Sequence, residues 1–148
     1  MITALLVSFA AGSALTSCGG SKDDASARGK AEAKRTYQAR ATRTCSRIPE
    51  LDPAATRTTV LEQAPLVRAA AARRLDTLRA LGAPEQDRAT LERYFQSLER
   101  LARTQSRVTT AATDGTAREL SEALRAAGSA HDRSVDLARS YGLDRCAR

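Results

Sequence analysis

The sequence predicts an all-α protein, an antiparallel four-helix bundle. Three observations carry that expectation. Beyond the first thirty residues, apolar side chains recur only at the three- and four-residue spacing of a helix, and no run alternates with the period of a strand. The breaks at 82–84 and 114–115 are short, which makes successive helices antiparallel neighbours. Aromatic residues are 3% of the chain and tryptophan is absent, so the core must be built from Leu, Val and many Ala. Alanine on the helix stripes lets helices approach closely, so a large internal ligand cavity is not expected.

The chain opens with an uncharged run, Ile2 to Leu15. It is too short for a transmembrane helix, which needs about 20 apolar residues. It fits the hydrophobic region of an export signal, which runs about 7–15 residues. The following Leu15-Thr16-Ser17-Cys18 resembles the lipobox of bacterial lipoproteins. That resemblance implies that residues 1–17 are removed and that the Cys18 thiol carries a diacylglycerol. Two or more acyl chains, palmitate among them, hold a protein stably on a membrane. The implied address is the extracytoplasmic face of the cell membrane. Met1-Ile2-Thr3 lacks the Lys or Arg with which export signals begin, which predicts a true start codon upstream. Residues 18–30 are small and polar, with the composition of a flexible tether. Residues 31–148 are then expected to form one helical domain.

Helix one is expected from Ala31 to Ile48, with Ala33, Tyr37, Ala41, Cys45 and Ile48 on one face and Pro49 and Pro53 beyond it. Val67, Ala71, Leu75 and Leu78 mark a second helix that ends near Leu81-Gly82. The third runs from Pro84 to about Thr113, where Leu91, Tyr94, Phe95, Leu98, Leu101, Ala102 and Val108 share a face. Pro84 suits its first position, with Glu85 and Asp87 at the positive end of the dipole. Asp114-Gly115 stops it. Thr116 and Glu119 then form a capping box for a fourth helix, Ala117 to Tyr141. Its stripe is Leu120, Leu124, Ala127, His131 and Ala138, with Ala123, Ala130, Leu137 and Tyr141 along one edge, and Gly142 stops it.

The chemistry available is narrow. With one histidine and three cysteines, one of them assigned to lipid, the chain cannot furnish a thiolate-rich metal site, so no metal and no cofactor are expected. Covalent haem attachment, a Gly-rich phosphate loop and a G-x-S-x-G elbow are all missing from the sequence. His131 falls on the apolar stripe of helix four, which reads as a buried or half-buried histidine bonded to a hydroxyl and not as a catalytic base. No catalytic residue is expected. A formal charge of +7 with a pI near 10.0 raises the question of nucleic acid. Export and the lack of stacking aromatics argue against it. Anionic lipid or an anionic envelope polymer is the more accessible partner.

One row of basic side chains stands out. Arg93, Arg100 and Arg107 repeat every seven residues on helix three, with Arg103 nearby, opposite Leu91, Leu98 and Ala102. Guanidinium groups about 10 Å apart along a helix can meet phosphates through bidentate bonds. The plainer account is a charged face that keeps the helix soluble, and Glu92 and Glu99 beside the row favour it.

The cysteine in helix one, the Pro-punctuated loops, the Ala/Leu/Arg helices and the ending YGLDRCAR together resemble small helical lipoproteins of GC-rich Gram-positive bacteria. The resemblance implies a fold and an address, and it transfers no active site. With Cys18 lipidated, Cys45 and Cys146 are the one pair left, and outside the cytoplasm they read as a disulfide. Both lie near the C-terminal ends of their helices, which sit at opposite poles of a simple up-and-down bundle. Part of residues 46–64 must therefore cross the bundle lengthwise, with Pro65 starting or kinking the next helix. Against this, Val60 and Ala64 keep helical phase with Val67 and Ala71. The functional expectation is a non-enzymatic, lipid-anchored envelope protein acting by surface contacts. The alternative is a binding protein for a small ligand or anionic polymer, using a groove near His131 or the Arg93–Arg107 row.

Overall fold

Three long helices, α2 (Arg57–Ala80), α3 (Arg88–Asp114) and α4 (Ala117–Ser140), run antiparallel, with α3 packed against both neighbours. A computed structural model describes residues 22–147 of the chain. Residues 1–17, Cys18 and the first part of the expected tether lie outside the described residues. Among the described residues there are four α-helices and no strand, as the periodicity predicts. The remaining helix, α1 (Lys22–Thr44), is antiparallel to α2 and touches the bundle at one end. Tyr37 donates to the carbonyl of Leu78 (3.2 Å), and Gln86 reaches the carbonyl of Lys30 (2.9 Å).

The α1 boundaries differ from expectation in two ways. The helix begins at Lys22, so residues 22–30 of the segment read as a tether are helical, and 24–33 are exposed. It also ends at Thr44, so Cys45 and Ile48 lie past it, though Ile48 remains 3% exposed. Ala33 is exposed and takes no part in the core.

The Cys45–Cys146 disulfide is present, with Cα atoms 5.0 Å apart. Cys45 follows α1, and Cys146 lies in a 3-10 turn, Asp144–Ala147, beyond α4. The long crossover that this bond demands is also present, and shorter than expected. Residues 45–56 run from the level of Arg74 back to the start of α2, about 25 Å of helix at 1.5 Å per residue. Ile48 and Leu51 peg it to the core, and Asp52 closes a turn by accepting from the amide of Ala54 (2.8 Å). Residues 57–64 are helical, so Pro65 neither starts α2 nor ends it but lies inside it. The helical phase of Val60 and Ala64, both buried, prevails over the proline. Pro65 and Leu61, whose carbonyl loses its intrahelical donor, are exposed, so water can take the freed acceptor.

Helix ends follow their local chemistry. Thr56 caps α2 through the amide of Thr59, and Thr116 with Glu119 forms the expected capping box on α4. The Thr116 amide and hydroxyl hold the Glu119 carboxyl below the usual carboxylate range. The start of α3 is different. Pro84 leads into a 3-10 turn, Glu85–Asp87, and the α-helix proper starts at Arg88. Asp87 is spent on the hydroxyl of Tyr141 (2.8 Å). At the other end of α4, Gly142 has φ +81°, and Leu143 donates back to the carbonyl of Ala138 (2.8 Å), a Schellman closure.

Two arginines stitch the fold together without a carboxylate. Arg57 donates to the carbonyls of Ala111 (3.2 Å), Ala112 (2.9 Å) and Gly115 (2.6 Å), closing the negative end of α3. Arg74, 7% exposed, donates to the carbonyls of Ser46 and Cys146 and so spans the two strands of chain that the disulfide joins.

Candidate functional site

The expected arginine row lines a groove along the outer side of the α3–α4 seam. Arg93, Arg100, Arg103 and Arg107 stand along its α3 side with Gln96, and Arg133 stands on α4 with Ser129 and Ala126. Ser97, Thr104 and Ala130, all buried, form the floor. The groove is open to solvent and has a volume of about 880 Å³. It is a surface trough between helices, not an internal cavity.

The floor is low because small residues meet there from both helices. Ser97 and Thr104 are themselves seven residues apart and turn their hydroxyls inward, to the carbonyls of Tyr94 (2.6 Å) and Leu101 (2.8 Å). Ala126 and Ala130 follow on α4 at the four-residue spacing of one face. The walls are long and charged and the floor is short, which gives a channel.

No carboxylate lines this channel. Glu92 and Glu99, which in sequence sit beside the row, are drawn to the other flank of α3. Glu99 pairs with Arg79 of α2 at 2.9 Å, and Glu92 approaches the same guanidinium at 3.7 Å. Glu99 keeps one longer contact with Arg103 (3.7 Å), and Arg93 donates to the hydroxyl of Thr90 (3.4 Å). The side chains of Arg100, Arg107 and Arg133 make no hydrogen bond or ion pair among the described residues. Elsewhere Arg35, Arg79, Arg88 and Arg118 face carboxylates, while Arg43, Arg47, Arg68, Arg73, Arg125, Arg139 and Arg145 are, among the described residues, as unpaired as these groove arginines. What sets the groove apart is that its arginines are gathered along one recess. Successive like charges about one Debye length apart, along a recess, focus a positive potential on the channel.

His131 is not part of this site. It is half-buried on the other side of α4 and does not line the groove. The expected hydroxyl partner is also missing. The nearby Ser134 hydroxyl donates to the backbone carbonyl of His131 (2.8 Å), and the imidazole Nδ1 is buried without a hydrogen bond among the described residues. Cys45 and Cys146 are committed to their disulfide, at the pole where α1 docks. Among the described residues, no group of His, Cys, Asp and Glu is arranged to hold a metal ion.

Arg133 and the small-residue floor were not singled out from sequence. The signal for the floor was available: Ser97 and Thr104 share the seven-residue period of the arginine row. Arg133 carried no such signal, because its position depends on how α4 is rotated against α3.

Comparison of the chain with protein families, with curated proteins and with solved structures finds no match.

Proposed function

We propose that this chain is a non-enzymatic, membrane-anchored binding module that holds an anionic component of the cell envelope in the α3–α4 groove. One observation carries the reading: five arginines line a single trough whose lining contains no carboxylate. A face kept charged only for solubility has no reason to sort its acids away from its bases, and here Glu92 and Glu99 are turned to Arg79. The membrane address rests on the likeness of Leu15-Thr16-Ser17-Cys18 to a lipobox. No nucleic acid partner and no cofactor belong to this reading.

The test compares two triple variants of equal charge change. One changes Arg93, Arg100 and Arg107 to Glu; the other changes Arg28, Arg35 and Arg43 of α1 to Glu. Both should keep the helical circular dichroism of the parent. On a phosphocellulose column developed with salt, the groove variant should elute well before the α1 variant. Equal elution of the two would mean that net charge alone holds the protein and would remove the groove from the proposal.

A further inference from the structure

We infer that the groove accommodates an extended polymer bearing phosphate on successive units, and that it prefers phosphate to carboxylate. This rests on the anion-binding reading above and adds the shape and chemistry of the occupant.

The shape follows from how the guanidiniums are spread. Arg93, Arg100 and Arg107 are each two turns apart, so the α3 wall is a rail about 21 Å long. Three groups so placed cannot converge on one small anion. The floor offers no alternative grip. The Ser97 and Thr104 hydroxyls already donate to backbone carbonyls, and Ala130 is a methyl group. A ring or acyl group would find no deep apolar pocket there.

The chemistry follows from the two walls. Arg133 faces the α3 rail from across the seam, so an occupant is gripped from both sides. A carboxylate presents its two oxygens in one plane along one edge. A phosphate diester presents its free oxygens tetrahedrally, so each can take a guanidinium fork from a different wall. Every charged side chain of the walls is an arginine, whose fork fits oxygen pairs better than a point charge does.

A bilayer surface is the weaker occupant. The floor is recessed between two helices, out of reach of a plane of headgroups. The groove also runs along the α3–α4 seam and not across the pole at which α1 docks.

The experiment uses the full chain with Cys18→Ala, so that no acyl anchor contributes, and with the disulfide formed. Isothermal titration calorimetry follows binding of long-chain polyphosphate, tripolyphosphate, polyglutamate and equimolar phosphatidylglycerol–phosphatidylcholine vesicles. Long-chain polyphosphate should bind tightest. Arg100→Gln and Arg133→Gln should each weaken it about tenfold and lower the slope of log K against log salt by about 0.7. Arg100→Lys, which keeps the charge but not the fork, should recover only part of the loss. Arg43→Gln on α1 should change binding less than twofold.

Four results would overturn the inference. Tripolyphosphate matching the long chain in affinity and salt slope removes the extended occupant. Polyglutamate binding as well as polyphosphate, with Arg100→Lys silent, removes the phosphate preference and leaves an anion groove standing. Vesicles bound through the same arginines, with no polymer bound, transfer the site to the membrane. Groove variants that bind every probe as the parent does remove the anion-binding reading itself.

Discussion

Arg74 donates one arm to the carbonyl of Ser46 and another to that of Cys146, from a position almost closed to solvent. A buried guanidinium held by two carbonyls, with the Tyr94 phenol beside it, depends on both bonds, and each charge-assisted bond contributes about 1.5–3 kcal/mol. Arg74→Ala should therefore lower the stability by about 3 kcal/mol, read as a fall in the urea midpoint. Arg74→Lys should recover less than half, because one ammonium cannot reproduce the planar fork that spans both acceptors. The three tyrosines make a second test at this scale. Burial pushes the phenol of Tyr37 up to about 12, and burial raises Tyr94 and Tyr141 as well, Tyr141 also through the Asp87 carboxylate that accepts its hydrogen bond. Each phenol binds its proton more tightly folded than unfolded. Their contribution is complete below the ordinary value of 10.0 and is lost as the pH rises through the folded values. The stability from chemical denaturation should be level from neutral pH to about 10 and then fall. Tyr37→Phe should make that fall shallower.

Helix α2 shows how far the elements were legible from residues alone. Val60, Ala64, Val67, Ala71, Leu75 and Leu78 form one unbroken buried stripe, and the stripe decided the structure across Pro65. Proline is a local penalty, of order 3 kcal/mol in a helix interior, whereas the stripe is a cooperative gain over several turns. Pro65→Ala should thus stabilise the protein by about 1–3 kcal/mol, less whatever proline contributes by stiffening the unfolded chain. A denaturation midpoint that falls would show that α2 needs its proline. The α3 and α4 stripes and the Thr116 cap were equally readable, because they depend on spacing within one helix. The groove was half readable. Its α3 rail is a periodicity, but Arg133 and the diversion of Glu99 to Arg79 depend on which helix packs on which flank. No single-helix pattern encodes that. The exposed start of α1 escaped notice for the opposite reason: it has no apolar stripe to announce it.

For the molecule as a whole, the disulfide adds a covalent tie to the few contacts that hold α1. That helix buries Tyr37 and Ala41 and little else, and Tyr37 meets Tyr141 edge-on with centroids 6.1 Å apart. The bond closes a loop with a sequence separation of 101, for which the chain-entropy model gives up to about 4.7 kcal/mol. Reduction should release α1 first, so hydrogen exchange at 35–44 should rise by more than at 91–108. Uniform exchange across both would mean that α1 and the three-helix core unfold as one unit. The anchor is tested separately. Cys18→Ala should move the protein out of the membrane fraction or leave it uncleaved; unchanged fractionation and mobility would remove the lipid from the proposal.

The same bond makes most of the protein a closed ring. Every residue from 46 to 145 lies between Cys45 and Cys146, so α2, α3, α4 and the crossover all lie on the loop and α1 is a tail attached to it. A protease that cuts once anywhere in that loop, at the crossover turn or at Gly115, opens the ring but frees no fragment. The two pieces stay joined through sulfur, and both walls of the groove stay on the molecule. A singly nicked protein should therefore run as one band without reductant and as two with it. Two bands without reductant would show that the ring is not closed.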